Sequence, residues 1–162
     1  MFQSSYLPIA FTGPRALPVS AIPSVDQVVQ EVMLSGRSVV VGCAVGADAA
    51  VLSAAIRFCP VSQLASRIQV LCAFGPEGQG SFVGSSVAGV QAAAALGVPV
   101  IWWAGGGPAV ALVQRLRSRS QACVHASMRL IAFLVPGLPC RGTRYTITFA
   151  HSVHEHVELF WV

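Results

Sequence analysis

The chain contains no lysine. All ten basic residues are arginine, set against only six carboxylates, Asp26, Glu31, Asp48, Glu77, Glu155 and Glu158. The resulting formal net charge of +4 on 162 residues is modest, so charge alone implies neither a nucleic-acid nor a membrane partner. Charged residues make up 10% and hydrophobic ones 54%, which excludes the composition of a disordered chain. Long apolar runs are also missing. None reaches the ~18 residues of a membrane span, and the nearest, Ala92–Ala104, is divided by Gly97-Val98-Pro99. The opening Met1-Phe2-Gln3-Ser4-Ser5-Tyr6 has neither the basic start nor the apolar run of a signal peptide. Five cysteines at irregular spacing, an odd number, argue against a disulfide framework and for a reducing compartment. A cytoplasmic protein with no membrane segment is expected.

The length suits a single domain over residues 1–162, with a core that needs neither disulfide nor metal. So little polar surface remains that part of the apolar excess is expected to cover a homo-oligomer interface, a dimer or larger. Cys43, Cys59, Cys72 and Cys123 sit inside apolar patterns, where thiols act as small core residues. Cys140 lies in a loop beside Arg141, and both an activated thiolate and a plain loop cysteine near a ligand stay open there.

Strand and helix patterns alternate along the whole chain. Strands are expected at Pro8–Thr12, Ser38–Gly42, Arg67–Phe74, Val98–Trp103, Arg129–Val135 and Val157–Trp161. The run Ser38–Gly42 has a continuous β-branched centre, Val39-Val40-Val41, as in a strand buried on both faces. Helical spacing of Val25, Val28, Val29, Val32 and Met33 follows Ser24, the expected cap, and ends at Gly36. Further helices are expected over Ala47–Phe58, Gly84–Leu96 and Thr143–His151, and another whose first turn holds Pro108. This alternation predicts an α/β fold: a Rossmann-like, doubly wound, mostly parallel sheet of about six strands with helices on both faces. Ligand sites in such folds lie at the carboxyl ends of the strands.

Glycines follow strand after strand. Val39-Val40-Val41-Gly42-Cys43-Ala44-Val45-Gly46-Ala47-Asp48 reads as a buried strand, a tight turn and a helix opened by small residues. A helix start of this kind offers backbone N–H groups to a phosphate. Gly13, Gly42, Gly46, Gly78, Gly80 and Gly142 are each a turn glycine or a ligand-approach glycine. Their joint placement after successive strands favours one shared site.

Three motifs resemble the SLOG superfamily, the Rossmann-like group containing Smf/DprA and Lonely Guy proteins. Phe11-Thr12-Gly13-Pro14-Arg15 resembles its first-strand TGSR loop, and Gly42-Cys43-Ala44-Val45-Gly46-Ala47-Asp48 resembles its GGAxGAD turn. Pro139-Cys140-Arg141-Gly142-Thr143 stands where these proteins carry a PxxxGT-like loop, and Arg119-Ser120 resembles an RN/RS pair. The likeness runs from about Pro8 to Val162 and is closest to the short YspA-like and related single-domain branches. It implies a module that binds nucleotides or nucleotide-derived ligands as a sensor or accessory protein. The catalytic glutamate of Lonely Guy enzymes is absent, because Arg144-Tyr145-Thr146-Ile147 follow Gly142-Thr143. An enzyme of that type is therefore disfavoured.

The ligand-binding set expected from these motifs is Gly13, Pro14, Arg15, Gly42, Gly46, Ala47, Asp48, Gly78, Gly80, Arg119, Arg141, Gly142 and Thr143. Arg15, Arg119 and Arg141 are the phosphate candidates, Arg141 foremost. Arg115, Arg117 and Arg119 read equally as a solvated helix surface. Two rival functions stay open. One is hydrolysis of a nucleotide's glycosidic or phosphate bond by Asp48 and Glu77, the single acid/base pair on offer. The other is single-stranded DNA binding of the DprA type, so nucleic acid remains a possible partner. No cofactor or metal is expected: His151, His154 and His156 read as a surface helix end, and at most one of Trp102 and Trp103 can face a pocket.

Overall fold

Short apolar runs with β-branched centres assemble into one sheet in a computed structural model that describes residues 8–153 and 156–162. The chain runs through β1 (Ile9–Thr12), α1 (Ile22–Leu34), β2 (Val39–Val41), α2 (Ala47–Phe58), α3 (Leu64–Arg67) and β3 (Ile68–Leu71). It continues with α4 (Val87–Ala95), β4 (Val100–Ile101), α5 (Leu112–His125), β5 (Arg129–Leu134), α6 (Arg141–Val153) and β6 (Val157–Trp161). The strand order is β4-β3-β2-β1-β5-β6 and every pairing is parallel, where a mostly parallel sheet was expected. The fold is Rossmann-like α/β. Strands β1 to β4 progress outward, and α5 then returns the chain to place β5 beside β1. The direction of winding reverses between β1 and β5, and crevices open at the carboxyl ends of such strands.

The two sheet faces are filled differently. On one, Ile9, Phe11, Val39, Val41, Ile68, Val70, Ile131 and Phe133 meet α1, α2 and α4 in the larger core. On the other, the alternate residues Ala10, Val40, Leu71 and Leu130 meet Cys123 and Val124 of α5 and Ala150 of α6. The period of two along each strand produces this division. Among the described residues no single helix is long and apolar enough to cross a membrane.

Several boundaries differ from expectation. Helix α1 starts at Ile22 with Pro23 in its first turn, so Ser24 is helical rather than a cap. Proline suits that place because its missing N–H is one the first turn leaves unpaired anyway. Pro108 stands in a turn ahead of α5, which begins at Leu112. Helix α6 begins two residues before Thr143, and α3 was not anticipated.

Candidate functional site

The β1 strand ends in Gly13-Pro14-Arg15, and this turn rests directly on the start of α2. A side chain at Gly13 would collide with Ala47. At Gly46, where φ is +78°, it would collide with the carbonyls of Pro14 and Arg15. That close approach lets the Pro14 carbonyl accept the Ala47 N–H at 3.0 Å. Two further donors of the same turn are engaged: Val45 N–H donates to Gly84 O at 2.8 Å, and Ala44 N–H to Asp48 Oδ2 at 3.1 Å. The turn that looked most like a phosphate cradle is thus largely satisfied by the protein itself.

Asp48 instead pairs with Arg119, whose Nη1 donates to Asp48 Oδ2 at 3.2 Å. Each of these residues is 8% exposed. Gly42 runs so close beside the pair that any side chain there would strike the guanidinium. The Nε of Arg119 is buried without a hydrogen-bond partner among the described residues. Burial opposes the guanidinium's charge, but Cys43, Asp48 and Cys123 around it outweigh that penalty and hold it protonated. A buried donor with no acceptor carries a desolvation cost, which an anionic ligand oxygen would relieve.

Arg119 and Asp48 line a cavity of about 500 Å³ at the β1/β5 reversal. Gly13, Pro14 and Arg15 contribute one wall. Arg117, Ser120 and Cys123 of α5 form another, and Cys140, Arg141, Gly142, Thr143, Tyr145 and Thr146 of the α6 start a third. At this start Cys140 takes φ +47° and its carbonyl accepts the Arg144 N–H at 2.9 Å, closing the first helical bond. The left-handed residue at this helix start is therefore Cys140, while Gly142 lies in the first helical turn. Helix geometry leaves the N–H groups of Arg141, Gly142 and Thr143 without intrahelical acceptors. A Cβ on Gly142 would meet open space.

The arginines divide by role. Arg141 is exposed at the cavity and makes no hydrogen bond or ion pair among the described residues. Arg15 donates to Val83 O at 3.2 Å and stands 5.9 Å over the Phe82 ring, tying the 82–84 loop to the cavity mouth. Arg117 covers the Tyr145 ring at 5.3 Å, and Gln121 Nε2 donates to the Tyr145 hydroxyl at 2.8 Å. Arg115 is a buried strut: its Nη1 donates to Ala73 O and Gly80 O at 2.8 and 3.1 Å, and its guanidinium lies over Trp103. Arg117 and Tyr145 were missed as site residues. The spacing of Arg117 and Ser120 from Arg119 does not reveal that α5 turns them all toward one cavity.

Other expected site residues lie elsewhere. Gly42, Gly46 and Ala47 support the site from behind, for the packing reasons above, and are not among the residues lining the cavity. Gly78 and Gly80 have positive φ in a separate loop that packs on Arg115 and Trp103. Glu77 is exposed in that loop, accepting Gln79 Nε2 at 3.3 Å, so the proposed Asp48–Glu77 pair is not assembled. Trp102 packs on Phe74 in the core, and Trp103 under Arg115. His151 and His156 are exposed, and His154 falls outside the described residues. Among the described residues no three His, Cys, Asp or Glu side chains cluster as metal ligands would.

No protein-family model and no curated protein matches the chain. Solved structures do. The chain is similar to DNA processing protein A from Helicobacter pylori, with a TM-score of 0.72 and 13% identity over 96% of this chain and 65% of that one. It is also similar to DNA processing protein A (DprA) from Streptococcus pneumoniae, with a TM-score of 0.61 and 16% identity over 96% and 58%. The chain spans less than two thirds of either protein's length. The class defined by fold and crevice is therefore a Rossmann-like α/β protein, with its candidate site at the winding reversal. Its neighbours in fold are DprA proteins, and the Helicobacter pylori protein is described by a distinctive single-stranded DNA binding mode.

Proposed function

We propose that the chain is a single-domain, SLOG-type nucleotide-binding module that holds its ligand by the phosphate in the cavity between β1 and β5. The observation that carries this reading is the buried Arg119 guanidinium, its Nε unpartnered, lining a cavity that α6 enters by its N-terminus. Phosphate oxygens would accept from Arg141, from the first N–H groups of α6 and from Arg119. The Tyr145 ring, backed by Arg117, would give the base an aromatic wall. Binding without turnover fits best, because Asp48 is engaged with Arg119 and Glu77 lies in another loop. On this reading the module belongs to a short YspA-like branch, as the motif resemblance implies, and acts as a cytoplasmic sensor or accessory protein. Exposed Leu159 and Trp161 on the edge strand β6 support a homodimer, which light scattering would test.

The fold likeness to the Helicobacter pylori protein favours a second reading, in which the phosphate belongs to single-stranded DNA. Calorimetry with nucleoside mono-, di- and cyclic phosphates, beside fluorescence anisotropy with an oligothymidylate, separates the two. Saturable binding of a free nucleotide that Arg141→Ala weakens is the expected result. Binding of the oligonucleotide alone would transfer the site to DNA. No binding of either would remove both readings.

A further inference from the structure

Cys43 and Cys72 face each other across adjacent strands. The β2–β3 register pairs Val41 with Val70, and continuing it by two residues sets Cys43 opposite Cys72. Both side chains belong to the same core on the same sheet face. Neighbouring strands lie ≈ 4.7–4.9 Å apart, inside the range of Cα separations that a disulfide spans. The Ala73 N–H, next to Cys72 on its strand, donates to Cys43 Sγ at 3.3 Å. Cys43 also precedes Ala44 of the cavity wall and feels the charges of Arg119 and Asp48, both in that wall.

We propose that Cys43 and Cys72 are an oxidation site, a dithiol behind the cavity wall that hydrogen peroxide converts to a Cys43–Cys72 disulfide. The roles are unequal. Hydrogen bonding with Cys72, helped by Arg119 and Ala73, outweighs burial and lowers the Cys43 thiol to about 7, which favours its thiolate. The same hydrogen bond, with burial, pushes Cys72 upward, so the proton stays there. The Cys43 thiolate attacks one peroxide oxygen and the O–O bond breaks. This leaves a sulfenic acid on Cys43 and a hydroxide, which takes a proton and departs as water. Cys72 sulfur then attacks Cys43 sulfur, the S–O bond breaks, and the Cys72 proton leaves with that oxygen as a second water. Two thiols are oxidised by two electrons and one peroxide becomes two waters. Only Cys43 must be reached from the cavity, by an oxidant scarcely larger than water. This inference does not depend on nucleotide binding.

Peptide mapping tests it on the intact chain. Cleavage after arginine puts each cysteine on its own fragment: 38–57 for Cys43, 58–67 for Cys59, 68–115 for Cys72, 120–129 for Cys123 and 130–141 for Cys140. Reduced protein is treated with equimolar hydrogen peroxide, its free thiols are alkylated after denaturation, and the digest is weighed. The expected product joins fragments 38–57 and 68–115 with the loss of two hydrogens. In Cys72→Ser the link should vanish and dimedone should capture Cys43 as its sulfenic acid, while Cys140→Ser should keep the link. A link from Cys43 to Cys123, oxidation confined to Cys140, or five free thiols would each overturn the proposal. The wild-type map decides the matter even where a variant fails to fold.

Discussion

Two helix N-termini meet at the same sheet edge, and they differ in what they leave available. The turn into α2 is closed: Pro14, Gly84 and Asp48 take the N–H groups of Ala47, Val45 and Ala44. The start of α6 is open, with Arg141 free of partners among the described residues and clear space at Gly142. One glycine-rich turn has become part of the scaffold, and the other faces the cavity. A motif that places donors at a helix start does not say whether the rest of the chain will occupy them. The Asp48–Arg119 pair joins the two, since it anchors the closed turn and lines the open cavity.

The largest expected effect falls on that junction. Asp48→Ala strands a buried guanidinium and removes the acceptor of Ala44, and breaking a buried pair costs about 3–5 kcal/mol. Urea denaturation should show that loss. A change below about 1 kcal/mol, the range of surface pairs, would mean that the closed turn does not rest on Asp48. Arg141→Ala probes the open side. It should leave stability untouched and weaken nucleotide binding by about 1.5–3 kcal/mol, read by titration calorimetry. Equal losses of stability and affinity would erase the proposed difference between the two starts.

Paired glycine substitutions sharpen the comparison. Gly46→Ala forces a side chain onto φ +78° and into two carbonyls, so thermal denaturation should show a loss of about 1–3 kcal/mol. Gly142→Ala meets open space in a helix and should be neutral or stabilising by about 0.5–1 kcal/mol. The smallest effect is on pH dependence. Because the Cys43 thiol is lowered from 9.0 to about 7, its contribution to stability is full above pH 9 and is lost as pH falls through 7. Cys72 and Cys123 are raised, so their opposing contribution appears only above pH 9. Melting temperatures of wild type and Cys43→Ser should therefore diverge as pH rises from 7 to 9. Parallel curves would show that Cys43 keeps an ordinary thiol.

Periodicity and punctuation carried much of the architecture. The bounds of α2 and β6 coincide with the expected Ala47–Phe58 and Val157–Trp161, because strong local patterns are bounded there by glycine, proline or the chain's own polarity. Pro108 misled, since proline suits a turn as well as a helix start. The candidate site was legible only as a shared cavity, which Gly13, Pro14, Arg15, Asp48, Arg119, Arg141, Gly142 and Thr143 all line. Its division of labour was not. Arg115 and Arg119 stand one helical turn apart with the same side chain, yet one braces Ala73 and Gly80 while the other faces the cavity beside Asp48.

Residue order along the chain determined the alternation of strands and helices, the glycine turns after them and the arginine-only basicity. These depend on backbone geometry within a few residues and on composition. Tertiary structure alone decided which N–H groups remain open, which arginine is buried beside a carboxylate, and that Cys43 faces Cys72. Those outcomes depend on acceptors and neighbours dozens of positions away, brought together only when parallel strands pair and helices close over both faces of the sheet.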